Sequence, residues 1–232
     1  MPVSIVYNLF VGTDWVLSFF PLNDFIDHTF LRPDCRSTDV TRLCQEAVDH
    51  AFRAVCVPPY YVQQAKKELQ GSKVRVATVV AYPYGYADTS VKVQEIQRAF
   101  SEGADEVDIV INLAAVKSGD WAYVRADLNA VVTTTRLKGR VCKIIVEMSE
   151  LSPAEQRQVC DICNEVKPTF VKTSTGTKGG ATVTDVRFLR EQLHPGIKIK
   201  ASGGIRDRRS ATALIEAGAE RIGTSAGIDL VR

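Results

Sequence analysis

Two lysines define the chemistry open to this chain. Lys172 lies in Phe170-Val171-Lys172-Thr173-Ser174-Thr175-Gly176 and Lys200 in Lys198-Ile199-Lys200-Ala201-Ser202-Gly203-Gly204. They are 28 residues apart, the length of one strand-helix unit, which puts them at comparable heights on neighbouring strands about 4.8 Å apart. Lys198 shares a face with Lys200, but Lys200 is nearer the carboxyl end. A lone strand lysine commonly snorkels outward at a rim. Two on adjacent strands, each followed by small and hydroxyl residues, point inward instead. A free lysine amine of pKa about 10.4 is neutral in only about 1 part in 2,500 at pH 7, and a nucleophilic amine has to be neutral. Desolvation and a neighbouring ammonium both lower its pKa. One lysine can then attack a carbonyl to form a Schiff base while the other stays charged and depresses the first.

Such a site needs a proton shuttle. Asp108, within Asp105-Glu106-Val107-Asp108-Ile109-Val110-Ile111-Asn112, is an acid in an apolar strand and is costly to bury unpaired. A structural ion pair is the plainer account of it, and a Lys200–Asp108 pair relaying protons through water satisfies both. Asp27, in Ile26-Asp27-His28-Thr29, is a second candidate, and His28 alternates to the other face as a structural residue. Glycines at the ends of the last strands, Gly176, Gly203, Gly204 and Gly223, with Ser225, suit a phosphate cradled by backbone N–H groups, and Thr173 beside Lys172 is a further substrate-binding candidate. Ordinary tight turns are the competing explanation. Lys178 or Arg206 could add charge there. Cys160-Asp161-Ile162-Cys163 is a lone C-x-x-C on a helical apolar stripe, read as buried packing. No metal ligand set and no cofactor motif appears, so a reaction without metal or cofactor is expected.

The elements that must position these residues repeat as one unit, a short β-branched run followed by a helix-period segment. Eight strands are predicted: Phe25–Thr29, Ala54–Val57, Val74–Tyr82, Val107–Asn112, Cys142–Glu147, Phe170–Thr173, Ile197–Ala201 and Arg221–Ser225. Several are continuous apolar runs, as in parallel strands covered by helices. Helical stripes run through Val40, Leu43, Cys44, Ala47, Val48 and Ala51, through Val124, Leu128, Val131 and Val132, and through Ala211, Leu214, Ile215 and Gly218. Ser152-Pro153-Ala154-Glu155 reads as a capping box. Gly103-Ala104-Asp105-Glu106-Val107-Asp108 lines up with Gly218-Ala219-Glu220-Arg221-Ile222-Gly223 as two equivalent helix-to-strand joints. Eight such units close most economically into an α/β (β/α)8 barrel, with function at the carboxyl ends of its strands. No G-x-G-x-x-G follows the first strand to favour an open sheet.

Composition agrees with one globular domain. The 232 residues are 45% hydrophobic and 24% charged, with 29 basic against 27 acidic side chains, a balance that argues against a polybasic nucleic-acid binder or an acidic tail. Six cysteines are too few for a disulfide scaffold and are expected to be reduced, in a cytoplasmic protein. Residues 2–22 are mostly apolar with one charge, Asp14, and the first basic residue is Arg32. This fits neither a secretory signal nor a comfortable membrane span, Asp14 alone costing about 2.5–3.5 kcal/mol. Residues 1–23 are therefore read as a packed amino-terminal extension before a barrel over residues 24–232, without membrane contact.

Taken in order, Ile26-Asp27-His28-Thr29, Gly103-Ala104-Asp105-Glu106-Val107-Asp108, Gly119-Asp120-Trp121, Val171-Lys172-Thr173-Ser174-Thr175-Gly176, Lys200-Ala201-Ser202-Gly203-Gly204-Ile205-Arg206 and Gly223-Thr224-Ser225-Ala226-Gly227 resemble the deoxyribose-phosphate aldolase family. The likeness runs from about residue 24 to Leu230. It implies a class I aldolase that reversibly cleaves 2-deoxy-D-ribose 5-phosphate to acetaldehyde and D-glyceraldehyde 3-phosphate. By position it makes Lys172 the Schiff-base lysine, Lys200 the activating lysine and Asp108 the proton-relay acid, with the glycines and Ser225 around the phosphate. The chain departs from the family pattern at Ala81-Tyr82-Pro83-Tyr84-Gly85-Tyr86, at Glu147-Met148-Ser149-Glu150, at Arg32 in place of a common Lys, and in a shorter loop after the sixth strand. With the sequence ending at Arg232, a flexible carboxyl-terminal tyrosine tail is not expected. A phosphosugar isomerase or synthase barrel, and a non-catalytic binding barrel, remain as alternatives that need no imine. A homodimer is a plausible assembly.

Overall fold

The β-branched runs of the sequence become eight short parallel strands. The computed structural model describes residues 21–232. In it β1 (Ile26–Thr29), β2 (Ala54–Val57), β3 (Arg75–Val80), β4 (Glu106–Val110), β5 (Val141–Ile145), β6 (Phe170–Lys172), β7 (Lys198–Ser202) and β8 (Arg221–Thr224) pair in chain order. Pairing of Asp27 with Gly223 joins β1 to β8 and closes the barrel. The expected (β/α)8 architecture is thus present with all eight predicted strands, most of them trimmed by one or two residues at an end. The expectation of a packed extension falls, for residues 1–20, outside the described residues.

Helices cover the outside: α1 (Ser37–Asp49), α2 (Val62–Glu68), α3 (Thr89–Ser101), α4 (Leu113–Lys117), α5 (Trp121–Leu137), α6 (Pro153–Val166), α7 (Val183–Gln192), α8 (Arg208–Glu216) and α9 (Gly227–Val231). The starts of α3 to α8 are fixed by side chains that accept from orphan N–H groups, a contribution of about 1 kcal/mol each. Ser152 and Glu155 form the predicted capping box on α6, Thr182 and Asp185 form another on α7, and Asp120 accepts from the Tyr123 N–H on α5. Val40, Leu43, Cys44 and Ala47 on α1, and Val124, Leu128, Val131 and Val132 on α5, are buried. Val48, placed on the α1 stripe by periodicity, is instead exposed, and Ala51 lies beyond the helix end with positive φ. The buried stripe ends at Ala47, and the stop at Asp49 takes Ala51 out of the helix. The six cysteines, all in the described residues, are free, and Cys160 and Cys163 are buried in α6.

The two helix-to-strand joints share a packing device. Gly103 (φ +107°) and Gly218 (φ +117°) turn the chain into β4 and β8. A Cβ at Gly103 would meet Cγ of Lys66 at 2.7 Å, and one at Gly218 would meet Cγ of Arg190 at 3.2 Å. In both joints the stem of a basic residue from the preceding unit lies across the glycine. Lys66 then reaches Asp105 at 3.1 Å, and Arg190 donates to the carbonyls of Leu193, His194 and Ile197.

Strand alternation divides the core in two. Outward residues such as Val55, Val57, Ile109, Ile144, Ile199 and Ile222 join the helices in one large apolar shell. The small separate cluster of Cys56, Ala77 and Val79, with Leu31 and Tyr82 against it, comes from the inward faces of β2 and β3. The inward faces of the remaining strands mix apolar residues, such as Val110, Ile145 and Phe170, with ionisable ones. Outside the barrel, α3 and α5 are pinned by a fully buried pair, Lys92 Nζ donating to Asp127 Oδ2 at 2.6 Å and to the Val110 carbonyl at 3.1 Å. The Thr89 hydroxyl completes Asp127. Removing one partner of a buried pair strands the other charge, so Asp127→Ala is expected to lower unfolding free energy by about 3–5 kcal/mol in urea titration. A loss below about 1 kcal/mol would contradict the role given to this pair.

Candidate active site

Inward positions of six strands converge on one ion cluster. Register sets Lys172 of β6 directly against Lys200 of β7, and Asp108 of β4 against Lys143 of β5. Both lysine amines of the predicted pair meet a single oxygen: Lys172 Nζ donates to Asp108 Oδ2 at 2.9 Å and Lys200 Nζ donates to the same atom at 2.8 Å. Lys200 Nζ also donates to Asp27 Oδ2 at 2.5 Å. Asp27, Asp108 and Lys200 are wholly buried, and Lys172 nearly so at the floor of the cavity. The structure therefore brings Lys172, Lys200, Asp108 and Asp27 together.

A lower tier of the cluster escaped the sequence reading. Lys143 Nζ donates to Asp108 Oδ1 at 2.8 Å and contacts Glu106 Oε2 at 2.5 Å, with Asp27 Oδ2 at 3.8 Å. Arg221 links the two remaining acids, Nε to Asp27 Oδ1 at 2.8 Å and Nη2 to Glu106 Oε2 at 2.5 Å. All three missed residues, Glu106, Lys143 and Arg221, are buried. The signal was available: each is an ionisable side chain in or at the start of an apolar strand, the criterion that singled out Asp108.

Protonation follows from these contacts. Burial lowers the affinity of the Lys172 amine for a proton, Asp108 opposes this, the nearby Lys200 ammonium adds to it, and the balance is a lowered pKa. Lys200 is equally desolvated, but contact with both Asp108 and Asp27 outweighs burial and raises it. Lys143 is raised in the same way by Asp108 and Glu106. Burial alone would raise the carboxyls. Arg221, Lys200 and Lys143 instead bring Asp27 to about 2, and Lys143, Lys172 and Lys200 hold Asp108 well below the usual range. The resulting tier has one amine that holds its proton less tightly than a free lysine, beside two that hold theirs more tightly.

Above it opens a cavity of about 650 Å³, with Lys172, Thr175, Gly176, Ser202, Gly203, Gly204, Gly223, Thr224, Ser225, Arg206 and Arg32 among its lining. Gly203 and Gly204 both have positive φ. A Cβ at Gly203 would stand 2.7 Å from the Gly179 carbonyl oxygen, so the loops after β6 and β7 lie back to back there. Gly223 has a different necessity. A Cβ on it would lie 3.0 Å from Lys200 Cε and 2.9 Å from Ser202 Cβ, and its bareness leaves the channel through which the Lys200 stem passes. Thr173 and Asp27 stand off the cavity. Thr173 Oγ1 accepts from the Ser202 N–H at 3.2 Å and ties β6 to β7, while Asp27 sits beneath Lys200 in the ion cluster. Lys178 turns away to Glu150 and the Tyr84 ring. His28 is buried, its Nε2 against Glu46 at 2.7 Å, and it also lines the cavity.

The divergent segments hold the loop after β6. Glu147, in the left-handed region at φ +54°, accepts from the Thr175 N–H at 3.1 Å and from its hydroxyl. The Tyr82 hydroxyl donates to the Thr175 carbonyl at 3.1 Å. Three groups of one residue at the cavity wall are thus fixed from β3 and β5. Among the described residues no group of three or more His, Cys, Asp or Glu is disposed to hold a metal ion, and no helix is long and apolar enough to cross a membrane.

The chain that carries this site has close relatives among known proteins. Residues 24–231 match the model of the DeoC/LacD family aldolases. A deoxyribose-phosphate aldolase of Thermococcus gammatolerans is 47% identical over 210 residues, covering 89% of this chain and 93% of that protein. One from Desulfitobacterium hafniense is 45% identical over 211 residues, covering 90% and 97%. The tetrameric deoxyribose phosphate aldolase of Aeropyrum pernix superposes with a TM-score of 0.85 at 31% identity, covering 91% of each chain. With matches of this extent, the chain belongs to the DeoC/LacD aldolase family.

Proposed function

We propose that this protein is a class I deoxyribose-phosphate aldolase, reversibly cleaving 2-deoxy-D-ribose 5-phosphate to acetaldehyde and D-glyceraldehyde 3-phosphate. The observation that carries the reading is the sharing of Asp108 Oδ2 by Lys172 and Lys200 beneath an open cavity. Of the two, Lys172 is the amine with the lowered pKa and the one that lines the cavity. In this reading the neutral Lys172 amine attacks the aldehyde carbon of the open-chain sugar, and loss of water gives an imine. Removal of the proton from the 3-hydroxyl breaks the C2–C3 bond, releasing glyceraldehyde 3-phosphate and leaving an enamine on Lys172. A proton returned to C2 gives the acetaldehyde imine, and water frees acetaldehyde and the amine. Asp108 and Lys200 are the proposed proton carriers, through water, and Lys200 also keeps Lys172 neutral by its charge.

The loops around Gly176, Gly203, Gly204, Gly223 and Ser225 are the proposed phosphate seat, supported at Gly203 by a backbone approach too close for a side chain. The functional unit is the barrel over residues 24–232, with residues 1–23 as an extension. A cytoplasmic setting suits the six free cysteines. Self-association, with the homodimer as its simplest form, is supported by the tetrameric description of the Aeropyrum pernix relative.

Borohydride added with deoxyribose 5-phosphate is expected to leave a stable adduct at Lys172 by peptide mass mapping; an adduct elsewhere, or none, would defeat the mechanism. Lys172→Leu is expected to lower turnover by at least about 10⁴-fold. Lys200→Leu removes a like charge, so Lys172 keeps its proton to higher pH. The acid limb of kcat/KM is then expected to move up by about 1–2 units, and an unmoved profile would contradict the role of Lys200.

A further inference from the structure

The buried cluster has one more cation than carboxylate. Asp27, Glu106 and Asp108 face Lys143, Lys172, Lys200 and Arg221, all within a few per cent of full burial. A net charge withdrawn from water is unfavourable and is relieved by loss of a proton. The proton leaves most readily from the cation with the fewest carboxylate partners. Lys200 touches Asp27 and Asp108, Arg221 touches Asp27 and Glu106, and Lys143 touches Glu106 and Asp108. Lys172 touches Asp108 alone.

We infer that Lys143 is a positioning residue for the Lys172 proton: buried below the cavity, it keeps the cluster one cation over balance and so obliges Lys172 to be the neutral member. The inference rests on Lys172 being the nucleophile. The count is closed on every side. From β2 the Cys56 thiol faces the cluster, but burial pushes it up to about 11 and it stays neutral. Tyr82, at the end of β3, is likewise pushed up to about 12 by burial. Arg75 of β3 stands 3.6 Å from Glu106, but its side chain is nearly half exposed and its charge is screened by solvent. Glu147, past β5, is directed to Thr175. Lys198, at the far end of β7, is exposed and pairs with Glu220. The directions already described agree: Lys172 is the single lysine of the cluster that is lowered.

Charge counting makes predictions of opposite sign. Lys143→Met leaves three cations for three carboxylates, and Lys172 then keeps its proton. Glu106→Gln enlarges the surplus, and the double variant restores a surplus of one. The readout is the pH midpoint of Lys172 labelling by limiting acetic anhydride, followed by mass spectrometry. Relative to the native protein, the midpoint is expected to rise by about one unit or more in Lys143→Met. It is expected to fall in Glu106→Gln, to return close to native in the double variant, and to stay unchanged in Lys143→Arg. A midpoint unmoved in Lys143→Met, or not restored in the double variant, overturns the inference. Should Lys143→Met fail to fold, Glu106→Gln decides: a downward shift supports it and any other result overturns it. Borohydride trapping on the native protein runs in parallel. No Lys172 adduct there means that the aldolase reading has failed, whereas an adduct with unmoved midpoints means that only the role of Lys143 has.

Discussion

One carboxylate oxygen organises this molecule. Asp108 Oδ2 takes a hydrogen bond from Lys172 and another from Lys200, and two lysine nitrogens on one oxygen is an arrangement that water would ordinarily dissolve. It persists because the barrel wall excludes water and because register fixes where the side chains start. Lys172 and Lys200 are partners in the ladder, and Asp108 reaches them across the interior. Buried charges are tolerated only when paired and hydrogen-bonded. The cluster meets that condition with Lys143 on the other Asp108 oxygen, and with Asp27, Glu106 and Arg221 beyond it.

The rest of the interior is arranged around that cluster. On the β2 and β3 side, Cys56, Ala77 and Val79 give a compact apolar wall, so that polar contacts are confined to the opposite arc. The channel for the Lys200 stem exists because position 223 carries no side chain. The wall of the cavity above Lys172 is steadied from two other strands, with Glu147 and Tyr82 gripping Thr175. These are packing and hydrogen-bond constraints rather than reacting groups, yet each bears on where an amine nitrogen can stand.

Much of this was legible in the chain itself. Apolar runs interrupted by helix-period segments located all eight strands, and the 28-residue interval set Lys172 beside Lys200 because one unit of the repeat equals one step around the barrel. Asp108 was conspicuous as an acid among Val and Ile. Glu106, Lys143 and Arg221 were equally unusual but lay nearer strand starts or had no evident partner. Alternation reports which face a side chain takes, and leaves open what it meets across the interior, which depends on barrel radius and stagger. Thr173 illustrates the limit. Its hydroxyl type and its place next to Lys172 suggested the cavity, but a one-residue step turns it to the opposite face, where it accepts from Ser202. The grip on Thr175 joins residues 28 and 93 positions apart and leaves no periodic trace.

Asp27 belongs to the first strand, yet its two oxygens are held by Lys200 of β7 and Arg221 of β8. The earliest segment of the barrel to be synthesised therefore waits for the last before its carboxylate is neutralised, and the seam between β1 and β8 is fastened by the same contacts that complete the ion cluster. Folding and assembly of the reactive centre thereby become one cooperative event. A barrel lacking its terminal unit would leave β1 unpaired on that side and Asp27 without its Arg221 partner.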